Sequence, residues 1–198
     1  MDYTTLGRTG LKVSVAGLGC GGFSRIGQGT GKTEAESIAI VKLALDEGVN
    51  FIDTAEAYGT EGIVGKALLG VPRDQVVLST KAHPSNGETP RPAAEVVAAL
   101  DNSLHTLGVD YVDVFHLHGV LPTAVGHAFD EVVPALLREK EKGKFRYLGI
   151  TEMASVDHQQ QVLEQAAQVG VFDVMMVAYH MMHQGPRTRL FPATQDQG

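Results

Sequence analysis

The sequence predicts an α/β fold, a parallel sheet covered by helices, arranged either as an open doubly wound sheet or as a closed (β/α)8 barrel. Three observations carry this. Short apolar or β-branched runs alternate with longer stretches of helical period, the helical stretches close on glycines, and the repeat runs to about 30 residues, the size of one βα unit. An eight-stranded barrel takes about 250 residues, so a chain of 198 residues supplies about six of its eight strands.

Taken in order, YTTLGRTGLKVS at residues 3–14 holds two extended runs around an Arg-Thr-Gly turn, which predicts a short β-hairpin ahead of the alternation. The strand candidates are VSVAGLG from Val13, VNFIDTA from Val49, QVVLSTK from Gln75, YVDVFHLH from Tyr111, FRYLGIT from Phe145 and FDVMMVAYH from Phe172. Between the first two, TEAESIAIVKLALDEG opens on a capping box, Thr33 with Glu36, and closes on Gly48. Later helices end at Gly108, Gly143 and Gly170, and Pro134 makes its helix start or kink nearby. The whole chain reads as a single domain, residues 1–198.

Composition narrows the partners. A hydrophobic share of 43% suffices for a sizeable core. The net charge of -7 and the lack of any basic cluster beyond the mixed run REKEKGK at 138–144 argue against nucleic acid or an anionic membrane surface. Cys20 is the sole cysteine, which rules out an internal disulfide and suits a reducing compartment. With no secretory start at MDYTTLGRTG and no apolar run of membrane-spanning length, the expectation is a cytoplasmic protein.

Function in both parallel architectures sits at the C-terminal ends of the strands. Asp53, Lys81 and His118 end three different strand candidates, and Tyr58 follows in the loop after the first of them. Any one of these alone is an ordinary surface or capping residue. Together they bring an acid, a base, an imidazole and a phenol to one face. Competing motifs are weaker. GLGCGG at 17–22 satisfies GxGxxG, but about ten residues separate it from the next helix. GQGTGKT at 27–33 imitates a P-loop, but the frame requires glycine where Ile26 stands. His116 and His118 form an HxH pair without a second cluster of metal ligands.

The combination of YTTLGRTGLKVS, GLGCGG, DTAEAYG at 53–59, the strand-end Lys81, YVDVFHLH at 111–118 and GKFRYLGIT at 143–151 resembles the aldo-keto reductase family over essentially the whole chain. The resemblance implies a TIM-type (β/α)8 barrel, here incomplete. It also implies a nicotinamide cofactor, NADP with NAD as the alternative, and no metal. Its catalytic tetrad falls on Asp53, Tyr58, Lys81 and His118. The chemistry explains the residue types. Hydride delivery to a carbonyl carbon builds negative charge on oxygen, so a proton donor and hydrogen-bond donors must be aimed there beforehand. Tyr58 would be that donor. A free phenol ionises near pH 10, so a lysine ammonium is needed to favour the phenolate, and Asp53 keeps Lys81 charged in a partly dry pocket. His118 would orient the carbonyl oxygen.

By the same resemblance Gly19, Cys20 and Gly21 approach the nicotinamide side, and Thr151 and Glu152 stand where the family has Ser-Asn to grip the carboxamide. Thr151 keeps the hydroxyl, and Glu152 can only accept. Met176 replaces a usual glutamine. Tyr179 and His180 continue the sixth-strand match at the barrel mouth. His116, two positions before His118, shares its face one layer deeper and reads as a hydrogen-bonded interior histidine. The implied partner is a small carbonyl or alcohol substrate. Because RTRLFPATQDQG ends the chain after the sixth strand, the expectation is a truncated barrel whose unpaired first and sixth strands favour self-association. A catalytically weak reductase serving as a binding or regulatory module is the alternative.

Overall fold

A computed structural model describes residues 1–197. The hairpin comes first: β1 (Tyr3–Thr5) and β2 (Lys12–Ser14) pair antiparallel, Tyr3 opposite Ser14, around a turn that ends on Gly10 at φ 70°. The strand expected from Val13 is in fact two pieces. Val13 and Ser14 belong to the hairpin, the chain bends at Val15 and Ala16, and only β3 (Leu18–Gly19) joins the main sheet.

The rest alternates as expected. The order is α1 (Glu34–Asp46), β4 (Phe51–Asp53), α2 (Glu61–Ala67), β5 (Val77–Ala82), β6 (Ser85–Asn86), β7 (Thr89–Pro90), α3 (Ala93–Leu107), β8 (Val112–Val120), α4 (Val125–His127), α5 (Val133–Glu141), β9 (Phe145–Glu152), α6 (Gln161–Val169), β10 (Val174–Met176) and α7 (Leu190–Gln195). Six strands form one parallel sheet in the order β10-β9-β8-β5-β4-β3. Among the described residues β3 and β10 are its two edges. The order of the four middle strands follows the chain, as in part of a barrel wound from right-handed βα units.

Local chemistry explains the boundaries. Thr33 and Glu36 form the reciprocal capping box of α1, with the Thr33 amide donating to Glu36 Oε2 at 2.8 Å. Gly108 and Gly170 end α3 and α6 in the left-handed region that side chains resist. Pro134 lies in the first turn of α5, and a π-helical turn at Ala128–Val132 runs directly into it. Two features were not legible: the small β6/β7 hairpin inserted after β5, and the shortness of β10, which covers three residues of the nine expected from Phe172.

Side-chain alternation sorts the sheet into two faces. Ile52, Leu78, Phe115, Leu117, Leu148 and Ile150 turn outward into the helix layer and form the main apolar core. On the inner face Phe51, Val77, Val114, Tyr147 and Val174 form a bottom layer plugged by Leu11 and Val13 of the hairpin. Tyr147 Oη donates to the Thr9 carbonyl at 2.5 Å, and Arg8 donates to the Phe172 carbonyl at 2.7 Å, which pins the hairpin there. Two residues higher, the inner face becomes polar. No helix among the described residues is long and apolar enough to cross a membrane.

Candidate active site

The inner face at the C-terminal ends of β4, β5 and β8 collects the predicted residues. Asp53 ends β4 and Lys81 is the fifth residue of β5, both on the inward-facing phase of their strands. The Lys81 side chain is wholly buried, its Nζ 2.5 Å from Asp53 Oδ2, with a second hydrogen bond of 2.8 Å to the Thr54 carbonyl. Ser79 Oγ donates to the other Asp53 oxygen at 2.8 Å. Burial pushes the Asp53 carboxyl above its ordinary range, while the Lys81 ammonium and the Ser79 hydroxyl pull it back.

Tyr58 closes a 3-10 turn, Glu56–Tyr58, and Gly59 takes φ 69° immediately after it. The turn is held by a 2.9 Å hydrogen bond between the Thr54 and Thr60 hydroxyls. The phenol hydroxyl reaches both remaining members, lying 3.4 Å from Lys81 Nζ and 3.4 Å from His118 Nε2. Lys81 also stands 4.7 Å from the Tyr58 ring centroid, and the Tyr58 and His118 rings meet edge to face at 5.5 Å. Thus Asp53, Lys81, Tyr58 and His118 form one connected cluster. Burial first, then His83 and Lys81, push the His118 imidazole down to about 3 from 6.5, so it is neutral at pH 7.

His116 lies one layer below, fully buried as expected. Neither ring nitrogen makes a hydrogen bond of full geometry, and the Ile150 backbone supplies only a weak polar contact, so the histidine is less fully satisfied than the sequence suggests. Burial pushes it down to about 3 as well. It occupies the space left by Gly149, its register partner on β9, where a Cβ would lie 2.1 Å from His116 Nδ1. Among the described residues no group of three or more His, Cys, Asp or Glu gathers around a metal-sized site. GQGTGKT lies in the long loop before α1.

The residues expected at the nicotinamide side take distinct positions. Gly19 ends β3 with open space where a side chain would be. Cys20 is fully buried, its amide donates to the Asp53 carbonyl at 2.8 Å, and its thiol is pushed up to about 12, chiefly by burial. A Cβ on Gly21 would lie 2.5 Å from Tyr58 Cε2, so Gly21 seats the tyrosine ring. Thr151 Oγ1 accepts from the Gly119 amide at 2.6 Å, and its own proton is available for a further bond. Glu152 Oε1 accepts from the Ala178 amide at 2.7 Å, while its buried Oε2 has no protein donor. Glu152 thus keeps an orphaned buried acceptor and Thr151 a hydroxyl proton, and a carboxamide, which both donates and accepts, can pair with groups of these kinds. Met176 offers no polar contact, Tyr179 packs edge to face on Phe191, and His180 pairs with His183 in a tight turn.

Several members of the site were missed by sequence reasoning. Ser79 and Thr54 serve the Asp53–Lys81 pair, and His83 stacks on His118 with ring centroids 4.2 Å apart. His83 had a readable signal, since it stands two residues beyond Lys81 and so shares its phase.

The comparisons agree with this geometry. The Aldo/keto reductase family pattern matches residues 17–198. The chain is 36% identical to the L-galactose dehydrogenase of Arabidopsis thaliana over 157 residues, covering 76% of this chain and 48% of that protein. It is 33% identical over 186 residues to the versiconal hemiacetal acetate reductase of Aspergillus parasiticus, covering 80% and 53%. The chain thus spans about half the length of the curated relatives it matches. Among solved structures, the thermostable aldo-keto reductase Tm1743 in complex with the inhibitor epalrestat superposes with a TM-score of 0.82 at 27% identity, covering 100% of this chain and 70% of that one. With a parallel half-barrel, a strand-end Asp/Lys/Tyr/His cluster and a family match over nearly its full length, the chain belongs to the aldo/keto reductase family.

Proposed function

We propose that residues 1–198 act as a single reductase domain that interconverts a carbonyl compound and its alcohol. Tyr58 is the proton donor, Lys81 and Asp53 tune it, and His118 orients the carbonyl. The observation that carries this reading is the wholly buried Lys81 ammonium placed between Asp53 at 2.5 Å and the Tyr58 hydroxyl at 3.4 Å. A buried lysine held beside a phenol favours the phenolate that proton donation leaves behind. The neutral imidazole of His118 offers a hydrogen bond to the same oxygen without adding charge. Relatives named as a dehydrogenase of L-galactose and a reductase of a hemiacetal acetate support a sugar or carbonyl substrate class.

A reduced nicotinamide dinucleotide, NADPH or NADH, would supply the hydride. Thr151 and the orphaned Glu152 Oε2 would hold its carboxamide, and Gly19 would leave room beside β3. Tyr58 then gives its proton to the carbonyl oxygen as the alcohol forms, Lys81 bears the phenolate as neighbour, and solvent restores the proton. Self-association through the β3 and β10 edges and residence in the cytoplasm belong to the same proposal. Sedimentation tests the former: a monomer at all concentrations counts against it.

The test is the loss of NADPH absorbance with a panel of reactive aldehydes, with Tyr58→Phe run in parallel. Turnover that falls by about 10² to 10⁴ in the variant, with nucleotide affinity kept, is the expected result. Equal turnover in both proteins removes Tyr58 from the reaction. No turnover in either overturns the catalytic reading of this chain, and nucleotide binding without turnover then favours a binding module.

A further inference from the structure

A catalytic imidazole is usually aimed by a hydrogen bond at its far nitrogen, which also selects the tautomer. His118 has none: its Nδ1 is buried with no partner, and only Nε2 meets another group, the Tyr58 hydroxyl at 3.4 Å. What contacts the ring instead is His83. The two imidazoles are stacked, 4.2 Å between centroids and 15° from parallel. His83 Nδ1–H donates to the His118 carbonyl at 2.9 Å, which sets the His83 tautomer and ties ring to backbone.

His83 is itself clamped. Its amide donates to Glu56 Oε1 at 3.1 Å. Arg91 donates to the same Glu56 oxygen at 2.6 Å and to the His83 carbonyl at 3.2 Å. The Arg91 carbonyl in turn accepts from His127 Nε2 at 2.8 Å. Glu56 and Tyr58 belong to one 3-10 turn. The contacts therefore close a circuit from the Tyr58 turn through Glu56 and His83 to His118, and back to the Tyr58 hydroxyl.

We propose that His83 is a positioning residue, and that the Glu56–Arg91 clamp uses its stacked ring to hold the His118 ring plane so that Nε2 stays on the Tyr58 hydroxyl, the contact that then selects the tautomer. The role rests on the proposed reductase chemistry only for its consequence in turnover, since the positioning is a property of the folded chain. The groups facing His118 are Tyr58 from the 3-10 turn, Lys81 and His83 from the end of β5 and the loop after it, and His116 on its own strand, with Asp53 behind Lys81.

The test uses the full chain labelled with 15N-histidine, His118 being assigned by its loss in His118→Asn, and reads the ring nitrogens by long-range 1H–15N spectra between about pH 5 and pH 8. The parent shows one neutral tautomer of His118 throughout. His83→Phe keeps the stacking partner and preserves that spectrum. His83→Ala removes it, and His118 shows both tautomers and begins to titrate inside the window. Glu56→Gln, which weakens the clamp but spares both rings, moves His118 in the same direction by a smaller amount and carries the test where His83→Ala fails to fold. His118 spectra unchanged in His83→Ala or, where that variant is unfolded, in Glu56→Gln, overturn the inference. In steady state, His83→Ala lowers kcat at least about tenfold while cofactor affinity holds within about threefold. A parent chain without turnover refutes the proposed reaction and leaves the spectral comparison intact.

Discussion

Gly21→Ala offers a direct test of how the tyrosine is seated. The added Cβ would stand 2.5, 2.6 and 2.8 Å from three carbons of the Tyr58 ring. Ordinary carbon contacts begin near about 3.5 Å, so the ring must withdraw by about 1 Å. Gly21 does not use a positive φ, so alanine itself is not strained there. Tyr58 is only half-buried and can yield, so the cost in stability is at most about 1 kcal/mol, partly offset by the stiffer unfolded chain. The hydroxyl has no such latitude, because its contacts with Lys81 and His118 are already at 3.4 Å. A misplacement of about 1 Å costs on the order of 10² in rate, or about 2.7 kcal/mol of barrier. The assay is kcat at saturating NADPH and aldehyde, set beside nucleotide affinity by fluorescence and stability by urea unfolding. A kcat within about threefold of the parent refutes the reasoning. A loss confined to nucleotide affinity refutes it too, and assigns Gly21 to the close cofactor approach that the family resemblance implies.

Three further outcomes follow from the same structure. Asp53→Ala strips the carboxylate from a lysine with no exposed side chain, and should cost about 3 kcal/mol or more in urea unfolding, a loss that adding Lys81→Met largely recovers; a cost below about 1 kcal/mol contradicts the ion-pair account. Gly149→Ala drives a Cβ to 2.1 Å from the buried His116 ring, so it should destabilise by about 3 kcal/mol, and much of that should vanish in the His116→Ala background, where independent, additive costs would disprove the clash. Because the folded protein holds His116 and His118 down near about 3 against 6.5 in the free side chain, the unfolded chain binds more protons below pH 6.5. Stability is therefore retained above that value and lost as pH falls, by about 1.3 kcal/mol per histidine between pH 7 and pH 5.5. Urea unfolding at the two pH values checks this, and His116→Phe should remove close to half of the slope.

The sequence by itself determined the alternation of elements and the strand-end placement of the candidate site residues. Strand and helix periods, the Thr33–Glu36 capping box and the glycine stops are local properties, written within a few residues of one another, and they reappear in α1, α3, α6 and the parallel sheet. Asp53, Lys81 and His118 could be read as strand-end residues because a period of two and a parallel sheet already place strand ends on one face. Only the tertiary structure decided what those residues touch. The break of the first strand candidate depends on which partner captures Val13, and hydrogen bonds to the hairpin take it away from the sheet. Gly21 and Gly149 carry no side chain to interpret, and their meaning comes from the rings of Tyr58 and His116 pressed against them across the fold. His83, Glu56 and Arg91 lie apart in sequence among ordinary polar loop residues. Their convergence on His118 is a matter of distance, which no local pattern encodes and which side chains acquire only when the loops after β4 and β5 fold onto the end of β8.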